Sequence, residues 1–138
     1  MPRVLIHPAS YANCRQEVGQ AFQLFPLEIT GKKVLIKPNV LRSAESQEGI
    51  TTHPAVLRAV VEKVETLNPA SLVVGDNPGM FSYGQNEVCF QKSGLLEAAK
   101  GYYRNIGNDS LSKDFNPDFM AKVSLSREVV EADIPEVR

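Results

Sequence analysis

The chain has 138 residues, about one domain, and its 43% hydrophobic and 22% charged residues are ordinary for a globular protein. Its formal net charge is -1, so no basic excess points to a nucleic acid or an anionic membrane as a partner. The apolar run near the N-terminus is too short for a signal peptide or a transmembrane helix. We therefore predict a cytoplasmic protein with neither a nucleic-acid partner nor a membrane partner.

The first part of the chain alternates apolar runs with helical spacing. Val4 to His7 is predicted as the first strand, and a helix is predicted over residues 13–25, where apolar residues recur on one face. The run from Val34 to Ile36 predicts the second strand. Pro38 ends it, because proline has no N–H for the strand ladder.

A polar interval over residues 39–52 has no period and is predicted as a loop, a feature that is usually functional or mobile at this length. The clearest helix follows, capped by Thr52 or His53 and running to Leu67. Ser71 to Val74 is predicted as the third strand. A strand, a helix and a strand in this order predict a parallel βαβ unit with a right-handed crossover.

The second part of the chain gives weaker patterns. Helices are predicted over residues 86–92 and 94–100, a fourth strand over 102–106, a loop over 107–118 and an edge strand over 123–125. The predicted fold class is α/β, a three-layer sandwich with a mostly parallel sheet built from Rossmann-like βαβ units. Residues 1–138 are predicted to form a single domain.

Polar residues follow two of the predicted parallel strands. Lys37 and Asn39 come after the second strand, and Gly75-Asp76-Asn77-Pro78-Gly79 comes after the third. Ligands bind open α/β sheets at the carboxyl ends of the strands. The sequence therefore predicts a site for a small anionic ligand formed by Lys37, Asn39, Thr52, His53, Asp76, Asn77 and Gly79.

Each of these residues also has a purely structural interpretation. A lysine at a strand end often extends into water, an asparagine there often makes a side-chain turn, and Asp76-Asn77-Pro78-Gly79 is a good turn sequence. His53 is more often a helix cap than a base or a metal ligand. His7 is predicted at the same edge if all three strands are parallel. Both interpretations stay open at this stage.

Several familiar chemistries are not supported. Cys14 and Cys89 are far apart, so this chain alone provides neither a structural zinc site nor a four-cysteine cluster, and both are predicted as free, buried thiols. Gly75, Gly79 and Gly84 do not fit the dinucleotide fingerprint. Ser82 lacks the first glycine of a nucleophile elbow. We predict no metal ligands and assign no catalytic residue.

In combination, the motifs resemble a known family. The chain resembles the N-terminal part of the domain-of-unknown-function 362 family in the order of five elements: Tyr11, the run from Gly31 to Asn39 with Lys37-Pro38-Asn39, Thr51-Thr52-His53-Pro54-Ala55-Val56, Gly75-Asp76-Asn77-Pro78-Gly79 and Ser93-Gly94-Leu95. That family has no general assigned reaction. Its members are often associated with iron-sulfur chemistry through a ferredoxin-like segment with clustered cysteines.

This chain departs from the family pattern because it has no such cysteines. It ends where members continue into the second half of the domain, so we expect an N-terminal fragment of a longer protein. The resemblance then implies no cofactor in this chain but allows a 4Fe-4S cluster in the full-length protein.

Two functions follow as hypotheses. The first is a cytoplasmic α/β domain that binds a small anionic ligand at the carboxyl edge of its sheet. The alternative is a non-enzymatic scaffold that docks a ferredoxin-like domain or partner through an exposed apolar face.

Overall fold

A pair of short parallel strands lies at the centre of the fold. A computed structural model describes residues 3–79 and 81–133. In chain order its elements are α1 (Cys14–Leu24), β1 (Lys33–Ile36), a single 3-10 turn (Ser46–Glu48), α2 (Pro54–Glu65), β2 (Ser71–Val74), α3 (Asn86–Lys92), α4 (Leu95–Ala98), β3 (Ser110–Asn116), β4 (Met120–Ser126) and α5 (Arg127–Glu131).

β1 and β2 run parallel, with Lys33 opposite Ser71 and Ile36 opposite Val74. Side chains alternate between the two faces of a strand, so Ile36 and Val74 enter the hydrophobic core on one face, which we call the front face. The helices contribute the other core residues, among them Leu57, Val61, Val64, Phe90, Leu95 and Ala98. Cys14 and Cys89 are free and buried, as predicted.

Helix α2 carries the apolar face that the sequence predicts. Pro54 occupies its first turn, and Leu57, Val61 and Val64 are buried, in keeping with the three- and four-residue spacing of a helix that packs on a core. At its far end Glu65 accepts hydrogen bonds from Lys100 and Tyr102. The hydrogen bond from Lys100 lowers the pKa of Glu65 below its ordinary value. These two hydrogen bonds connect the end of α2 to the segment that follows α4.

Three predicted segments differ from the structure. Val4 to His7 forms no strand, and its Val4 and Ile6 are 81% and 91% exposed, because no neighbouring strand pairs with this run. The segment 102–106 contributes a single parallel bridge, between Tyr103 and Val74.

The predicted loop over residues 107–118 is also wrong. Residues 110–116 form β3, which pairs antiparallel with β4. Leu111 and Phe115 share one face of β3, but the polar Lys113 stands between them, so the period-2 pattern of a strand is incomplete in the sequence. The predicted edge strand at 123–125 lies inside β4.

The α/β mixture of the prediction is confirmed. Within residues 3–79 and 81–133 the sheets are one parallel pair and one antiparallel hairpin. A three-layer sandwich with a mostly parallel sheet is not confirmed by these elements, and it stays a prediction.

Gly75 gives a test of how closely the chain packs beside β2. A Cβ atom at Gly75 would lie 2.6 Å from Ile106 Cγ2 and 2.8 Å from the carbonyl oxygen of Arg104. We expect Gly75→Ala to lower the free energy of unfolding by about 1–3 kcal/mol, because the carbonyl oxygen of Arg104 can move away only if the backbone shifts. Urea unfolding measures the change.

Gly19, inside α1, is the matched control. A Cβ atom there meets nothing within 4 Å, so Gly19→Ala should stabilise the protein by roughly 0.5–1 kcal/mol. Equal effects of the two substitutions would contradict the close approach at Gly75.

Candidate functional site

The two ends of the long loop after β1, which we call the loop neck, are joined by hydrogen bonds between Asn39 and Thr52. Asn39 N donates to Thr52 Oγ1 at 2.9 Å, and Thr52 N donates to the Asn39 carbonyl oxygen at 2.9 Å. The Asn39 side chain donates to the carbonyl oxygen of Ile50 at 2.8 Å. A bridge between Val40 and Thr51 completes the neck. Asn39 and Thr52 therefore hold the loop in shape.

Asp76 joins the ends of the two parallel strands. Its side chain is 5% exposed, and Oδ1 lies 2.8 Å from Lys37 Nζ. Its other oxygen, Oδ2, accepts a hydrogen bond from Val40 N at 2.7 Å. Both carboxylate oxygens thus have partners, as a buried charge requires. The Lys37 side chain is 37% exposed, and its ammonium group has three donors, of which the contact with Asp76 uses one.

The loop after β2 is fixed by contacts with three other segments. Gly79 N donates to the Leu41 carbonyl oxygen at 2.8 Å. Asn77 Oδ1 accepts from Asn86 Nδ2 at 2.8 Å, and Asn77 Nδ2 donates to Ser126 Oγ at 3.2 Å. Asn77 and Gly79 therefore connect this loop to the loop after β1, to α3 and to the start of α5.

His53 caps helix α2. Its Nδ1 accepts a hydrogen bond from Ala55 N at 3.2 Å, and its ring stacks on Tyr11 with centroids 3.5 Å apart and planes 6° apart. In a neutral imidazole one nitrogen accepts and the other carries the proton. The cap therefore assigns the proton of neutral His53 to Nε2, which makes this side chain a donor.

The first amides of α2 are already used. Pro54 has no N–H, Ala55 N binds His53 Nδ1, and Val56 N and Leu57 N both donate to the His53 carbonyl oxygen, at 3.0 and 3.2 Å. A helix start binds phosphate through free amides. This start offers none, so an anion at this edge would depend on side-chain donors.

The structure does not bring every predicted residue to this edge. His7 lies beside α1, where its Nδ1 is 2.9 Å from Glu17 Oε2 and 2.8 Å from the Pro8 carbonyl oxygen. Ser82 is buried, and its hydroxyl accepts from Ser43 N at 3.2 Å, which gives it a structural role.

Sequence reasoning did not assign Tyr11, Asn86 or Ser126 to this site. Tyr11 is part of the family resemblance, but a lone tyrosine before a helix does not by itself indicate a contact with His53. Asn86 and Ser126 reach Asn77 through contacts between separate segments. Within residues 3–79 and 81–133 no three His, Cys, Asp or Glu side chains lie close enough together to hold a metal ion. None of the helices in those segments is long and apolar enough to cross a membrane.

A comparison with known families matches residues 34–135 to the family described as a domain of unknown function, DUF362. The chain belongs to this family. The match covers the loops that carry Lys37, Asn39, Thr52, His53, Asp76, Asn77 and Gly79, and it confirms the resemblance seen in the sequence. Comparisons with curated proteins and with solved structures find no match.

The shared carboxylate of Asp76 gives a stability test for this DUF362 domain. In Asp76→Asn one oxygen is replaced by a donor, which must face either Lys37 Nζ or Val40 N. We expect a loss of about 1–3 kcal/mol in the free energy of unfolding, because a donor then faces a donor in a buried position. Urea unfolding measures it.

Adding Lys37→Met to Asp76→Asn should restore part of that loss, since the amide can then turn its oxygen to Val40 N. A coupling energy of roughly 0.5–3 kcal/mol is typical of residues in direct contact. Strict additivity of the two substitutions would contradict the shared role of Asp76.

Proposed function

We propose that this domain binds a small anionic ligand at the carboxyl edge of β1 and β2. The observation that carries the proposal is the Lys37 side chain, whose ammonium group is held at the sheet edge by a buried carboxylate while the side chain stays 37% exposed. A fixed, partly desolvated ammonium binds phosphate and carboxylate groups as a point charge.

His53 is the second ligand-binding residue of the proposal. Its neutral ring presents an N–H group at Nε2, because Nδ1 is occupied by the helix cap. A donor suits an anion, whereas a base or a metal ligand would need the lone pair that Nε2 lacks in this tautomer. The stacked ring of Tyr11 restricts the rotation of this imidazole.

The other five predicted site residues position these two donors. Asn39 and Thr52 close the loop neck, Asp76 holds Lys37, and Asn77 and Gly79 fix the second loop. Because Asp76 also neutralises the charge of Lys37, we expect the affinity of the site for an anion to be weak. The ligand class that fits is a small phosphate or carboxylate held by side chains.

The test is a titration of the 15N-labelled chain with inorganic phosphate, a nucleoside monophosphate and a small carboxylate such as succinate. We expect amide signals of residues 37–39 and 75–79 to move together, and Lys37→Met to weaken binding by about tenfold, the loss of roughly one charged hydrogen bond.

Lys32→Met is the matched control, because Lys32 is an exposed lysine that precedes β1 at the opposite end of the strand. It should leave the titration unchanged. Scattered shifts, no shifts, or equal effects of the two lysine substitutions would refute the proposal.

A second candidate function is docking of a ferredoxin-like partner on the hairpin β3–β4. One observation favours it: Leu111 and Leu125 pair on the same face as Phe115, which is 61% exposed, and Lys113 is the charged residue between them, whereas Ser112 and Ser124 pair on the opposite face. An amphipathic sheet with its apolar face in solvent is typical of an interaction surface.

A purified 4Fe-4S ferredoxin is the probe for this candidate. Binding measured by sedimentation should be lost in Phe115→Ser and kept in Leu24→Ser, a control at an exposed leucine of α1. Equal binding by the two variants, or no binding by the unmodified chain, would reject this function.

The finer fold assignment is part of the same proposal. A three-layer arrangement is supported by α2 to α4 on the front face and by α5 beside the opposite face of β1. A cytoplasmic location, and a 4Fe-4S cluster in a longer protein, stay predictions.

A further inference from the structure

A cavity lies on the face of the β1–β2 pair opposite the core, which we call the back face. It measures about 270 Å³ and is bounded by the two strands on one side and by α5 on the other. Leu35 and Val73 lie on its apolar side, at the strand positions that alternate with the core residues. The candidate anion site lies at a different place, at the carboxyl ends of the strands.

Charged groups of both signs line the rest of this back-face cavity. Lys33 and Arg104 are the cations, and Glu128 and Glu131 are the carboxylates. Arg104 Nη1 lies 3.5 Å from Glu128 Oε1, which is too long for a strong charged hydrogen bond. Glu131 Oε1 lies 3.3 Å from Arg127 Nη1. The walls therefore combine an apolar patch with Lys33 and with a long, weak ion pair between Arg104 and Glu128.

One carboxylate oxygen of Glu128 lacks a hydrogen-bond donor among the described residues. Its side chain is 12% exposed, and its Oε2 is buried with no hydrogen-bond partner within residues 3–79 and 81–133. A buried carboxylate oxygen without a donor is costly. The last torsion of a glutamate is soft, so a small rotation would present this oxygen to a donor in the cavity.

We propose that the back-face cavity binds a small zwitterion, an α-amino acid with a short apolar side chain. Its ammonium group supplies the donor that Glu128 lacks, its carboxylate lies against Arg104 or Lys33, and its side chain packs on Leu35 and Val73. The volume is below the roughly 300 Å³ at which sites for drug-sized ligands begin, which fits a molecule of this size. The rival occupant is water alone.

The first test uses three molecules of similar shape on the 15N-labelled chain. L-valine carries both charges, 3-methylbutanoate lacks the ammonium group, and 2-methylpropylamine lacks the carboxylate. We expect L-valine to shift the amide signals of Leu35, Val73 and Glu128 at millimolar concentration. Each half-molecule should bind at least about tenfold more weakly, because it satisfies one sign of charge only.

The second test removes the carboxylate of Glu128 and leaves that of Glu131 in place. Glu128→Gln keeps the shape of the side chain and should weaken L-valine binding by about tenfold or more. Glu97→Gln is its control, since Glu97 is 92% exposed on α4, and it should leave binding unchanged.

The proposal is overturned if L-valine moves none of these signals, which means that the cavity holds only water. Equal binding of L-valine and 3-methylbutanoate, or equal effects of the two glutamine variants, would overturn it as well. If Glu128→Gln does not fold, the three-molecule series on the unmodified chain decides alone. Loss of the anion site would leave this test unaffected, because the two sites share no residue.

Discussion

The buried carboxylate of Asp76 is the constraint on which the candidate site depends. It connects the end of β2 to Lys37 and to the backbone of Val40, so two strand ends and the start of the long loop share one charge. Removing either partner would leave a buried charge partly unpaired, which is far more costly than the pair itself is stabilising. These contacts form within the protein alone, without a ligand. A protein whose binding residues are already held in place loses less conformational entropy on binding.

Most polar groups at this edge hold the loops and do not face outward. Asn39, Thr52, Asn77 and Gly79 all have partners within the protein, and the first amides of α2 are used as well. The geometry thus differs from glycine-rich phosphate loops, in which the backbone itself binds the anion. In the proposed site the donors are a lysine and a histidine, so recognition of an anion would depend on their charge and on the length of their side chains.

Much of this edge could be predicted from local pattern. The proline after Lys37, the apolar period of α2 and the two parallel runs place Lys37 and Asp76 at neighbouring strand ends, and the structure has the pair at 2.8 Å. Pairing between distant residues could not be predicted in this way. Val4 to His7 has the composition of a strand but no partner, and the hairpin was missed because a strand exists only with the strand it pairs with. Asn86 and Ser126 meet Asn77 through the same kind of tertiary contact.

The parallel pair has two unlike faces, and this difference limits how the edge can respond to a ligand. The front face carries buried Ile36 and Val74 in a close-packed core, and such cores resist displacement. The back face carries a cavity with charged walls against a five-residue helix. A shift of β1 large enough to separate Lys37 from Asp76 would have to disrupt the front core. It would also strain the hydrogen bonds between Lys33 and Asp133, which hold the chain after α5 to β1. Adaptation to a ligand is therefore expected in side chains at the edge, not in the strands.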